Sequence, residues 1–134
     1  MPSGQAQKEV YLNEALSMID GLTHCAVEAE ASSPPVTPTD GQTWLIGSSA
    51  SGEWAGKTGQ LAFRQGGQWL YVPPQDGMRV LNRTSGQDIR RIGGIWRAVT
   101  TPSAASGGSV VDSEARAMLG ALVNALKQAG IFAS

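Results

Sequence analysis

Turn signals recur about every ten residues between positions 40 and 99, and that spacing limits what the chain can build. Gln65-Gly66-Gly67-Gln68 and Ile92-Gly93-Gly94-Ile95 each set two glycines between apolar runs, and Pro73-Pro74-Gln75-Asp76-Gly77 makes a wider turn. Glycine enters φ > 0 freely, so a Gly-Gly pair between apolar runs predicts a β-hairpin. The runs themselves are short, covering residues 43–46, 61–64, 69–72, 78–81, 88–92 and 95–99. Runs of this length at this spacing predict a small antiparallel meander over residues 40–99. Seventeen Gly and seven Pro among 134 residues suit so turn-rich a chain. A sheet of this size buries only a modest core, so a second surface should cover one of its faces.

On both sides of the sheet the period changes. Leu12, Ala15, Ile19, Leu22 and Ala26 recur at spacings of 3, 4, 3 and 4, with Leu16 widening the stripe. That is one apolar seam of a helix, expected from Gln5 to about Ala31 within an N-terminal segment 1–31. Ser3 can cap its start, Pro34-Pro35 should stop it, and Gly21 predicts a kink or break. Residues 32–39 read as an extended Pro-rich linker, and residues 100–110 as a Gly/Ser tether. In the segment 111–134, Asp112 reads as an N-cap and Gly130 as a stop. Between them Ala115, Leu119, Leu122, Leu126 and Ala129 recur at 4, 3, 4 and 3. The expected fold is α+β: an N-terminal helix, a small antiparallel β-meander and a C-terminal amphipathic oligomerisation helix. Its seams, Leu12, Leu16, Ile19 and Leu22 on one helix and Leu119, Leu122 and Leu126 on the other, are of the kind that close bundles and coiled coils. Isolated helices of this length are marginal, so the C-terminal seam must find either the first helix or copies of itself, and both outcomes suit a homo-oligomer. Beyond those heptad-like seams no internal repeat is evident.

Composition removes several functions. The net charge is −1, which gives no global drive toward nucleic acid or an anionic membrane. The charge is polarised: residues 1–30 carry net −4 and residues 57–97 net +5. No stretch is long and apolar enough for membrane insertion, and Lys8 and Glu9 stand where a signal peptide needs an apolar run. The single cysteine, Cys25, excludes an intrachain disulfide. His24 and Cys25 are neighbours on the expected helix, so they point about 100° apart and cannot act as a nucleophile–base couple. His24 with Glu28 supplies two metal ligands at most. Asp40, Glu53, Asp76 and Asp88 lie in turn-like contexts, and Gly47 to Gly52 lacks the Lys-Ser/Thr of a nucleotide loop. No catalytic, cofactor or metal residue is assigned, and the chain is expected to be a non-enzyme without cofactors.

Four tryptophans, Trp44, Trp54, Trp69 and Trp96, fall in about fifty residues, with Tyr71 beside Trp69. One reading makes them the core of a small sheet, with Trp44, Trp69 and Trp96 buried and Trp54, in a Gly-flanked loop, partly exposed. The other makes Trp54, Trp69 and Tyr71 a platform for sugar rings. Arg79, Arg83, Arg90, Arg91 and Arg97 form a basic run that suits phosphate or acidic polysaccharide, a solvated face, or the acidic first helix of a neighbour.

Several motifs together resemble a known family. Gly4-Gln5-Ala6-Gln7-Lys8-Glu9-Val10, Asn13-Glu14-Ala15-Leu16 and Ile19-Asp20 are similar to the opening of an uncharacterised domain of bacteriophages, prophages and gene transfer agents. Asp40-Gly41-Gln42, Gly52-Glu53-Trp54-Ala55-Gly56-Lys57, Gly59-Gln60-Leu61-Ala62 and Gly67-Gln68-Trp69 resemble its later signatures. Val111-Asp112-Ser113-Glu114-Ala115-Arg116-Ala117 resembles the closing helix of phage appendage proteins. The resemblance covers nearly the whole chain and implies a virion structural protein, made in the host cytoplasm without a signal peptide. It would be part of a tail fibre, baseplate attachment or head spike, as an adaptor or anchor because the chain is short. Implied partners are other copies, with a trimer favoured, and other tail, baseplate or spike proteins. The alternative is a carbohydrate-binding module for host polysaccharide. No catalytic residues carry over.

Overall fold

The N-terminal helix forms but ends eight residues early. In the computed structural model, which describes residues 5–110 and 112–134, α1 runs Gln5–Thr23. The Ser3 cap lies outside the described residues. The Thr23 hydroxyl donates back to the Ile19 carbonyl at 2.8 Å, and the chain turns at His24. Two short strands follow, β1 (Ala26–Val27) and β2 (Glu30–Ala31). The expected helix over 24–31 loses to longer-range bonds. The Cys25 and Val27 carbonyls accept from the Leu81 and Arg83 amides, and the Ala29 and Ala31 carbonyls accept from Leu45 and Gly47. Val27 is fully buried. Pro34-Pro35 therefore stops nothing, and residues 32–39 are tied down at Ser32, whose carbonyl accepts from the Ser51 amide at 2.8 Å.

The six expected strands are present as β3 (Thr43–Ile46), β4 (Leu61–Gln65), β5 (Gln68–Val72), β6 (Arg79–Asn82), β7 (Gln87–Ile92) and β8 (Ile95–Arg97). They make two sheets rather than one meander, in the orders β2-β3-β4-β5 and β1-β6-β7-β8. The division falls at Pro73-Pro74, where proline offers no N–H to a ladder. Both sheets are mixed, because β1 and β2 pair in parallel with β6 and β3 while the other pairs are antiparallel.

The two sheets are copies of one design, a repeat the sequence reading missed. Each has an Asp-Gly entry, a two-residue Gly-Gly hairpin and an Arg-x-Gly-Gly-x-Trp run: Asp40-Gly41 with residues 64–69, and Asp76-Gly77 with residues 91–96. Arg64 faces Trp69 across the first hairpin, and Arg91 faces Trp96 across the second. The glycine pairs Gly66-Gly67 and Gly93-Gly94 all have positive φ, as this hairpin type requires. Asp40 accepts from the Gly67 amide at 3.1 Å, while Asp76 accepts from Gly93 and Gly94 at 2.8 and 3.0 Å. The Gly41 and Gly77 amides likewise donate to the Arg64 and Arg91 carbonyls at 2.8 and 2.9 Å.

The units stack face to back. Strand alternation sends Leu45, Leu61 and Phe63 of the first sheet toward Val27, Val80 and Ile89 of the second, forming the main core. The end of α1 closes this core, with Leu22 packed against it. At Gly21 a Cβ would stand 2.5 Å from the Phe63 ring, so the glycine permits a close approach and not a break. The opposite face of the first sheet holds Ile46, Ala62 and Trp69, covered by Trp54 from a 3-10 turn at Gly52–Trp54.

After residues 98–110, α2 (Ser113–Gln128) starts at the expected cap, the Asp112 carboxylate accepting from the Ala115 amide at 2.8 Å. None of its residues is buried. Its far end is fastened to the second sheet. Phe132 is buried, the Asp88 amide donates to the Gly130 carbonyl at 2.7 Å, and the buried Gln87 amide donates to the Val99 and Ile131 carbonyls.

Candidate functional site

The tryptophan cluster forms on the outer face of the first sheet, with its order of burial changed. Trp54, expected to be the exposed one, is fully buried, while Trp44 and Trp96 are only half-buried. Its ring centroid lies 5.2 Å from Trp69 in an edge-to-face contact and 6.4 Å from Trp44. Tyr71 donates its hydroxyl to the Glu53 carbonyl at 2.9 Å, fixing the turn that carries Trp54. Burial, followed by the Glu53 charge, raises the Tyr71 pKa above its ordinary value. Lys57 Nζ sits 4.9 Å over the Tyr71 ring, and the Arg64 guanidinium 5.2 Å over Trp69. So Trp54, Trp69 and Tyr71 are together, as expected of a platform, but Trp54 is a core side chain and cations occupy faces of the other two. The loop's glycines gave a misleading signal: Gly52 has φ 61 and Gly56 φ 74, which bends the turn inward.

The basic run is split by strand alternation. Arg91 turns toward the core, its guanidinium 5.9 Å over Trp96 and its Nε 4.0 Å from Asp76, while Arg83 lies 3.6 Å from Glu28. Arg79, Arg90 and Arg97 remain, all exposed and directly opposite one another across β6, β7 and β8. Among the described residues, none of these three has a carboxylate within 4.0 Å. Leu81, Ile92 and Ile95 flank the row and are exposed as well. At its β1 end is an open hollow of about 260 Å³ lined by His24, Leu81 and Asp88 among others. Sequence reading found the arginines but not their alignment. The Gly93-Gly94 hairpin alone places Arg90 opposite Arg97.

His24 and Cys25 lie past the end of α1, not on it as expected. His24 is exposed, while Cys25 packs on the core and burial pushes its thiol up to about 11. A thiol held protonated is a poor nucleophile. Among the described residues no three His, Cys, Asp or Glu side chains gather to hold a metal, and no helix is long and apolar enough to cross a membrane.

The seam residues divide by position. Leu12, Leu16 and Ile19 of α1 and Leu119 and Leu122 of α2 are each more than half exposed. Leu22 is half-buried against the chain's own core, and Leu126 is half-buried.

Fold and surface together define a small α+β domain: two repeated four-stranded sheets packed on one core, with an apolar-striped helix at each end. Residues 12–97, from within α1 to the end of β8, match the family described as "Protein of unknown function (DUF2793)", and the chain belongs to it. The match ends at the last residue of the second sheet, and α2 lies outside it. No curated protein matches the chain.

Proposed function

We propose that this chain is a non-enzymatic structural protein of a phage-type virion, an adaptor in a tail fibre, baseplate or head spike that assembles as a homo-oligomer, with a trimer favoured. The observation that carries the assembly part is the contrast between body and helices. The two sheets bury Val27, Leu45, Leu61, Phe63, Val80 and Ile89 in one core and expose Leu81, Ile92 and Ile95 on one outer face, whereas α1 and α2 leave Leu12, Leu16, Ile19, Leu119 and Leu122 in water. Apolar stripes at this spacing are stable when another helix or surface covers them. The virion part rests on the resemblance of the opening, Trp-Ala-Gly-Lys and closing-helix motifs to phage and gene-transfer-agent proteins. The alternative, polysaccharide binding through Trp54, Trp69 and Tyr71, has less support because Trp54 and Trp69 are both buried.

Two measurements test the proposal. Light scattering on the full chain across a concentration series should give a multiple of 14.0 kDa, and a monomer throughout would overturn the assembly part. Peptide mass spectrometry on purified particles from the producing cells should find the chain at a fixed ratio to known tail or head proteins. Its absence from particles would overturn the virion part.

A further inference from the structure

We propose that the outer face of the second sheet, along the row Arg79, Arg90 and Arg97, seats the α1 helix of a second copy of this chain. The inference rests on the homo-oligomeric reading above and adds which surfaces meet. Three observations carry it.

The first is the internal repeat. Aligning the two hairpins places Arg79, Arg90 and Arg97 at the positions of Thr43, Phe63 and Leu70 in the first unit. That first row is already a helix seat. The last turn of α1 lies on it, with Gly21 against the Phe63 ring and Ser17 and Asp20 bordering the same crevice as Thr43 and Leu70. The equivalent row in the second unit is uncovered.

The second is charge. Like charges directly opposite on one sheet face repel, so the arginine row costs the isolated chain stability. An acidic partner removes that cost. α1 is the acidic element, with Glu9, Glu14 and Asp20 against Lys8. At 3.6 residues per turn Glu9 and Asp20 lie on one line, about 20° apart around the axis and roughly 16 Å apart along it. Strands repeat about every 4.8 Å, so the arginine row is about 10 Å long and its side chains reach both carboxylates.

The third is the apolar register. The Leu12, Leu16 and Ile19 stripe is exposed and runs beside the Glu9–Asp20 line. The sheet has apolar rows beside the arginines, with exposed Ile92 and Ile95 on one side and, on the other, Leu81 paired with the exposed Asp88. A helix laid along the row buries apolar against apolar and sets carboxylates over guanidinium groups. Because the helix and its seat are different surfaces, the contact is head to tail, and it closes into a ring when the rotation allows.

The test is charge exchange on the full chain, read as mass against concentration by analytical ultracentrifugation. Arg79→Glu, Arg90→Glu and Arg97→Glu together should weaken self-association roughly tenfold or more, and so should Glu9→Arg with Asp20→Arg. A chain carrying all five reversals should recover the wild-type curve, as should an equal mixture of the two reversed proteins. If the triple Glu variant loses its circular dichroism, the triple Gln variant is measured in its place and should also weaken association. A reversed or neutral row that assembles like wild type overturns the seat and leaves the oligomer standing. So does a five-fold reversal that restores nothing. Unchanged assembly with lost retention on dextran sulfate would assign the row to a polyanion and overturn the proposal. A wild-type chain that is monomeric throughout overturns both the seat and the assembly reading.

Discussion

Trp54 shows how one side chain converts a loop into structure. It has no exposed surface, touches Trp44 and Trp69, and is the lid of the first sheet's outer face. The Trp-Ala-Gly-Lys signature around it is thereby explained as packing: Trp54 fills, Gly56 bends the chain and Lys57 covers Tyr71. Trp54→Ala should cost about 3–5 kcal/mol, a large part of what a small domain has. Urea unfolding monitored by circular dichroism checks this, and a loss below about 1 kcal/mol would mean the turn can collapse without its ring. Cys25 gives a second prediction, in pH. Its thiol titrates at about 11 in the fold against 9.0 when free, because burial disfavours the thiolate. The unfolded chain therefore loses this proton first as pH rises. Stability from Cys25 is fully present below pH 9.0 and is lost progressively up to about pH 11. The urea midpoint should fall across that window, and Cys25→Ala should flatten the fall. Some decline will remain in the variant, since the raised Tyr71 pKa acts in the same direction. An unchanged slope in Cys25→Ala would remove the thiol from the account.

Elements with a local signal were legible, and elements made by distant partners were not. Both helices, all six main strands and both Gly-Gly hairpins follow from period and turn chemistry, and Asp112 caps α2 as its residue type suggests. Strands β1 and β2 were hidden because each is two residues long and their sequence continues the helical spacing of α1. Only their bonds to β6 and β3 make them strands. The repeat was hidden by length, since Asp40 and Arg64 are nine residues further apart than Asp76 and Arg91. The extra residues are the loop that carries Trp54. Docking of residues 130–134 had no periodic signal at all, and it sets apart two parts of the C-terminal segment. Phe132→Ala should cost about 3–5 kcal/mol, because the ring is buried and the same stretch receives the Gln87 and Asp88 hydrogen bonds. Leu119→Asp, on a helix with no buried residue, should change monomer stability by less than about 0.5 kcal/mol. It should instead reduce the mass of the assembled particle on sizing chromatography. A Leu119→Asp chain with wild-type mass would show that α2 takes no part in association.

At the scale of the whole molecule, the acidic N-terminal region and the basic second sheet are held apart within one chain. The Pro-rich segment 32–39 follows β1 and β2 and is not the connection of α1 to the second sheet. Helix α1 connects to β1 through His24 and Cys25 alone, and its last turn is fixed on Phe63. A helix anchored at one end and charged along its length can meet the arginine row of another molecule more readily than its own. The candidate surface was thus half legible: the charges were visible in the sequence, but their alignment needed the register of β6, β7 and β8. Opposed patches of this kind act on the rate and orientation of encounter more than on final affinity. Exposed ion pairs are each worth at most about 1 kcal/mol, and salt screens them over about 8 Å at physiological strength. The apolar stripes are not screened. Assembly of diluted chains should therefore slow as salt rises from low to physiological, while the finished oligomer keeps its mass. Stopped-flow light scattering across a salt series measures the rate, with equilibrium mass recorded at each point. A rate indifferent to salt would leave the polarity without a role in encounter. An oligomer that dissociates in moderate salt would make the carboxylate–guanidinium contacts, and not Leu12, Leu16 and Ile19, the principal source of its stability.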